Sequence, residues 1–155
     1  MKLYIEQRAF SFTEQFSVYN EQGAVVYTVK GEVFSLGKRL HLYDLHGNEL
    51  ARVEQKVFSL FPKFFLFVGG RQIGEMVQVF HLFKPKYAVN GLGWEIRGNL
   101  FEHEYEITNG ILPIASVSRK WFSFTDAYEI CFGEDVDELA ALTVCLVIDA
   151  IMDQK

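Results

Sequence analysis

Cysteine is scarce in this chain, with two among 155 residues, and that scarcity removes whole classes of structure. Cys131 and Cys145 form no Cys-x-x-Cys pair, so neither a zinc cluster nor a disulfide framework is at hand. Cys145 falls inside an apolar run, where a buried, inert thiol is expected. The four histidines, His41, His46, His81 and His103, show no i, i+4 pair of the helical zinc type, and no metal or cofactor is expected. Positive charge is also short. Fifteen Lys and Arg against twenty Asp and Glu give a net charge of -5, which argues against broad nucleic-acid binding. Gly-x-Ser-x-Gly is missing, and Gly69-Gly70-Arg71-Gln72-Ile73-Gly74 lacks the Gly-Lys-Ser/Thr ending of a phosphate loop, so it reads as a hairpin turn. No uninterrupted apolar stretch reaches membrane-spanning length, and the opening residues do not resemble a signal peptide. The expected location is cytoplasmic, with peripheral membrane association allowed.

What is present is core material. Half of the residues are hydrophobic, and 15 Phe, 7 Tyr and 2 Trp favour strands, on whose pleated surface flat side chains pack well. Residues 1–155 suit one domain, a size that buries about two-thirds of its unfolded surface. No covalent staple is required.

The chain repeats itself. Written over one another with a shift of 24 residues, Tyr19-Asn20 falls on Tyr43-Asp44, Gly23 on Gly47, Val29 on Val53, and Val33-Phe34-Ser35-Leu36 on Val57-Phe58-Ser59-Leu60. A third copy aligns Phe61-Pro62-Lys63-Phe64 with Lys84-Pro85-Lys86-Tyr87, and a fainter fourth starts at Ile114. Bends fall at Asn20 to Gly23, His46-Gly47-Asn48, Gly69-Gly70, Asn90-Gly91 and Asn109-Gly110; Asn-Gly in particular favours the type I′ hairpin turn. Each copy therefore reads as a β-hairpin unit, and hairpins that curl and close on one another form a barrel. Along Leu100–Ile107, strict alternation predicts a strand with Phe101, His103, Tyr105 and Ile107 on one face and Glu102, Glu104 and Glu106 on the other.

After Gly133 the period changes from two to helical. Glu134, Asp135, Asp137 and Glu138 are expected in the first turn, where carboxylates complement the helix dipole, and Leu139 to Ile148 is apolar except for Thr143. A helix apolar all round must be buried all round. From Leu139 to Met152 is about 21 Å at about 1.5 Å per residue, too short for the roughly 30 Å core of a bilayer. The reading is a mostly β protein, a closed antiparallel barrel of about twelve strands around a central C-terminal α-helix at about 135–152.

Gly31-Glu32-Val33-Phe34-Ser35-Leu36-Gly37, Trp94-Glu95-Ile96-Arg97-Gly98-Asn99-Leu100-Phe101, Lys120-Trp121-Phe122-Ser123-Phe124-Thr125-Asp126-Ala127-Tyr128 and Val147-Ile148-Asp149-Ala150-Ile151 together resemble the LURP-one-related family. That family is a relative of the tubby C-terminal domain and, more distantly, of the phospholipid scramblases. The resemblance implies a twelve-stranded barrel around a central helix. It implies little about activity, since tubby domains bind phosphoinositides, scramblases are linked to lipid movement and calcium, and a shared fold does not transfer function. The scramblase pattern is incomplete here, with no acidic calcium loop.

The strongest candidate site is basic. Lys63 and Lys86 follow prolines at equivalent places in successive repeats, with Lys84 beside them; converging turns would let them hold a phosphorylated headgroup or an acidic partner. Lys30, Lys38 and Arg39 form a second, smaller grouping. The expected function is a non-catalytic binding or adaptor domain, its partner a phosphoinositide, an anionic membrane surface or a protein. A small-molecule enzyme with a cleft not visible in sequence, or an oligomerisation module, are the alternatives; a histidine and a carboxylate in hydrogen-bond reach within a pocket would favour the first of these.

Overall fold

The structure, a computed structural model, describes residues 1–6, 15–32, 36–80, 85–121 and 126–152, with backbone alone at 80, 85, 121 and 126. Twelve strands precede one helix: β1 (Lys2–Glu6), β2 (Gln15–Tyr19), β3 (Val25–Gly31), β4 (Arg39–Tyr43), β5 (Glu49–Gln55), β6 (Lys63–Val68), β7 (Arg71–Phe80), β8 (Pro85–Asn90), β9 (Trp94–Asn99), β10 (Glu104–Asn109), β11 (Leu112–Trp121), β12 (Asp126–Phe132) and α1 (Glu138–Met152). Each strand pairs antiparallel with the next, and β1 closes the cylinder on β12. At that seam Leu3 lies opposite Ile130 and Ile5 opposite Tyr128. On the outside of the same seam the Tyr4 hydroxyl donates to Glu129 Oε2 at 2.9 Å, and Lys2 and Lys120 lie 3.8 and 3.9 Å from Oε1.

Alternation sends every second side chain into the lumen. Val18, Val29, Leu42, Val53, Phe64, Leu66 and Ile107 are fully enclosed, and the wall they form needs a filling, because a twelve-stranded cylinder is too wide for its own side chains to meet. Helix α1 supplies it. Ala140 to Ile148, Ala150 and Ile151 are all buried, so the helix meets sheet in every direction, with its closest packing against β5, β6 and β7. The apolar-all-round pattern is thereby explained.

The helix begins later than its run of acids suggests. Asp135 adopts a left-handed φ of 53°, which ends any helical path there, and Asp137 is the cap: its Oδ1 accepts from Ala140 N at 3.1 Å and its carbonyl from Ala141 N at 3.0 Å. Only Glu138 is an acid inside the first turn. Residues 100–103 also depart from expectation. They form a turn, closed by His103 N donating to the Leu100 carbonyl at 3.2 Å, with His103 at a φ of 54°. Leu100, His103, Tyr105 and Ile107 are therefore buried, while Phe101 swings out to 58 % exposure.

Strand direction divides the two ends of the barrel. At one end, here the turn rim, lie the short connections 20–24, 44–48, 69–70, 91–93 and 110–111 and the start of α1. Glycines with positive φ make these bends possible, Gly47 at 84° and Gly91 at 97° among them. At the other end, the loop rim, lie the connections from β3 to β4, β5 to β6 and β9 to β10, together with the end of α1. Val57-Phe58-Ser59-Leu60, one half of the repeat match, belongs to the β5–β6 connection.

Candidate ligand-binding site

The two rims carry opposite charge. Glu21, Asp44, Glu134, Asp135, Asp137 and Glu138 gather at the turn rim, beside Lys2 and Arg71. Lys30, Lys38, Arg39, Lys56, Lys63 and Lys86 stand at or next to the loop rim. The described acids at the loop rim are Glu6, Glu32, Glu54, Glu102 and Glu104, and they are engaged locally: Glu32 lies 3.7 Å from Arg39, Glu54 3.0 Å from Arg52 and Glu102 3.7 Å from Arg119, while Glu6 accepts from the Tyr19 hydroxyl at 3.4 Å and Glu104 from Arg119 N at 3.0 Å. Among the described residues, a chain of negative net charge thus gathers an excess of cations at one end, because antiparallel strands send alternate connections to opposite ends.

Lys63 and Lys86 are placed on either side of β7, Lys63 opposite Val77 and Lys86 opposite Val79. Their neighbours Phe64 and Tyr87 point into the core, so both lysines face outward on the same stretch of wall next to the loop rim. Each meets a carboxylate on the adjoining strand, Lys63 with Glu75 at 3.5 Å and Lys86 with Glu95 at 3.3 Å. Arg97 also reaches Glu95, at 3.0 Å, and these cations hold the Glu95 carboxyl below its usual range. Both pairs are partly exposed, and pairs so close to solvent contribute little net stability. Lys84 lies outside the described residues.

The second grouping, Lys30, Lys38 and Arg39, borders the neighbouring connections. Lys30 Nζ lies 5.5 Å from the centre of the Tyr43 ring. The Lys38 and Gln55 backbones bond across the two connections, with Gln55 N donating to the Lys38 carbonyl at 2.8 Å and Lys38 N to Gln55 Oε1 at 3.0 Å. Close by, on the outer face of β4, His41 is bracketed by two carboxylates: Nε2 lies 2.8 Å from Glu32 and Nδ1 contacts Glu49. Burial alone would lower the His41 pKa, but the hydrogen bonds to Glu49 and Glu32 outweigh it and the net shift is upward from 6.5. The charged imidazolium is thus favoured by folding. Its stabilisation is complete below the unfolded value and disappears as pH rises through the higher folded value. In urea titrations across that interval the parent protein will lose stability with rising pH relative to His41→Gln; parallel curves would refute the bracket.

Interior polar groups are structural in geometry. His103 is 8 % exposed and stacks on Tyr128 with 4.0 Å between ring centres, and the Tyr128 hydroxyl donates to Asp149 Oδ1 at 3.0 Å. Tyr128 thus supports a carboxylate in the last turn of α1, where the helix dipole disfavours negative charge. Burial pushes the Cys145 thiol up to about 12, far from a thiolate nucleophile. Among the described residues no cluster of three or more His, Cys, Asp or Glu has metal-binding geometry, and no helix is long and apolar enough to cross a membrane.

The barrel closed on a buried terminal helix can be compared with known proteins. A family model described as LURP-one-related matches residues 1–149. The chain belongs to the LURP-one-related family. It is also 34 % identical over 152 residues to the uncharacterized protein YxjI of Bacillus subtilis (strain 168), covering 98 % of this chain and 94 % of that protein. An X-ray structure of a protein from Arabidopsis thaliana superposes with a TM-score of 0.66 at 18 % identity, over 99 % of this chain and 89 % of that one. At that identity the likeness establishes the shared barrel fold. The charge division between the rims and the apolar residues of the loop rim were not read from the sequence; the alternation of short and long connections was the signal that would have revealed them.

Proposed function

We propose that this LURP-one-related chain is a non-catalytic binding domain that takes a phosphorylated headgroup at its loop rim. The observation that carries the reading is the charge division of the barrel, with lysines at one end of a protein that is acidic overall. A dense anion approaching from solvent is drawn to that end and repelled from the other. Lysines at strand ends bind phosphate as point charges from flexible stems, and the carboxylates now beside Lys63 and Lys86 are exposed enough to yield. The polar residues of the interior are engaged in packing, which supports binding over chemistry.

Titration calorimetry with inositol trisphosphate at low and high salt tests this. Binding is expected at low salt and should weaken as salt rises. Lys63→Glu combined with Lys86→Glu should reduce affinity about tenfold or more, as expected when close cation–phosphate contacts become repulsive. Arg71→Glu, at the turn rim, should leave it unchanged. Absence of binding at low salt, or equal losses from the two rims, would reject the reading.

A further inference from the structure

We propose that residues 36–38, ahead of β4, and residues 56–62, between β5 and β6, are a membrane-inserting tip, and that the loop rim docks on an anionic lipid bilayer with Leu36, Phe58 and Leu60 entering the interface. The proposal rests on the headgroup reading above and specifies that the headgroup is presented by a lipid surface.

Three observations converge on this pair of loops. The first is exposure: Leu36 and Leu60 are each 90 % exposed and Phe58 is 98 % exposed. Isolated apolar residues on a surface are ordinary, but large ones grouped at one end mark an interaction site. The second is repetition. Val29 and Val53 are equivalent in the internal repeat and both are 0 % exposed, whereas Leu36 and Leu60 are equivalent and both stand out in solvent. Two copies of one hairpin unit therefore present the same leucine in the same way.

The third is construction. The Gln55 and Lys38 hydrogen bonds tie the two connections side by side, and Lys56 N donates to the Lys63 carbonyl at 2.8 Å to close the base of the longer one. At Gly37 a Cβ would lie 3.2 Å from the Gln55 carbonyl and 3.3 Å from Val57 Cγ2, so the neighbouring loops are in close contact. Phe58 is held at a φ of 61°, a region that bulky residues avoid. The ring nonetheless stands in solvent, at 98 % exposure.

Charge selects the occupant. Lys38, Arg39, Lys56 and Lys63 fringe the apolar tip, the arrangement in which shallow apolar insertion and attraction to anionic headgroups reinforce each other. A second copy docked face to face would set these cations against their own kind. The turn rim also exposes Leu45, Ile111 and Leu112, but Asp44, Glu134 and Asp135 border it, so an anionic bilayer is drawn to the loop rim alone.

The test uses the full chain with vesicles of phosphatidylcholine alone and of phosphatidylcholine with phosphatidylserine. Co-sedimentation is expected with the anionic vesicles only. Phe58→Ser with Leu60→Ser should cut that partition at least tenfold while leaving the inositol trisphosphate titration and the thermal unfolding midpoint unchanged. In F58W the added indole should shift to shorter emission wavelength on anionic vesicles and be quenched by acyl-brominated lipid, beyond any change in the parent protein. Unaltered partition of the double variant, or an indole that stays in water, overturns membrane insertion while headgroup binding stands. Loss of trisphosphate binding in the parent protein removes the headgroup reading itself. Retention by an acidic protein surface with no vesicle partition would also overturn the bilayer as occupant.

Discussion

Ile148→Asp will prevent the barrel from folding. Ile148 is 0 % exposed in the C-terminal half of α1, with sheet around it, and among the described residues no lysine or arginine is buried to meet a carboxylate. An unpaired buried charge costs several kcal/mol or forces the side chain to take up a proton, against a total stability of about 5–15 kcal/mol for a domain. The milder Leu146→Ala, at a position 1 % exposed, should remain folded but lose about 2–5 kcal/mol, through lost transfer energy and the cavity left in the lumen. Urea unfolding followed by circular dichroism measures both. If Ile148→Asp retains the parental midpoint, the helix is not the filling of the barrel.

Gly98→Ala should cost nearly as much as Leu146→Ala, for a different reason. Gly98 has a φ of 124°, and a Cβ there would lie 2.5 Å from the Glu104 carbonyl oxygen and 2.8 Å from Tyr105 Cα. Those atoms are backbone of β10, paired with β9 through Gly98 opposite Tyr105, and they cannot rotate away as a side chain would. The substitution combines a left-side φ that L residues resist with forced separation of two strands, about 2–4 kcal/mol together. Gly23→Ala is the control: its φ is 79° but nothing lies within 4 Å of the added carbon, so only the conformational penalty remains, about 1 kcal/mol. Equal midpoints for Gly98→Ala and Gly23→Ala would show that close approach at Gly98 is unimportant.

The barrel and its helix were legible because they are written in long-range periodicity. The change at Gly133, the uninterrupted run through Ile148 and the turn glycines each constrain many residues at once. Local exceptions were less legible. Asp135 can enter the left-handed region, as short polar residues do, and nothing in the acidic run distinguishes it from Asp137, the residue that caps the helix. Phe101 fits the alternation of its neighbours, yet the turn at Leu100 to His103 takes it out of phase. Phe58 and Leu60 were legible only as a repeat match to residues 34 and 36; their exposure depends on the length of a connection and on which end of the barrel it leaves. Lys63 and Lys86 were traced to the rim by their repeat positions, but the carboxylates that meet them, Glu75 and Glu95, come from neighbouring strands whose register the sequence leaves open.

Closure of β1 on β12 has a kinetic consequence. Strand β1 must wait for β12, and the apolar lumen stays wet until α1, which follows β12, is in place. Every other strand pairing joins sequence neighbours, so the hairpins can form locally, while the β1–β12 closure carries the long loop-closure cost; until it forms, β1 and β12 expose unpaired edges. Closure of the cylinder and filling of its lumen are therefore expected as one late, cooperative step after the hairpins have formed.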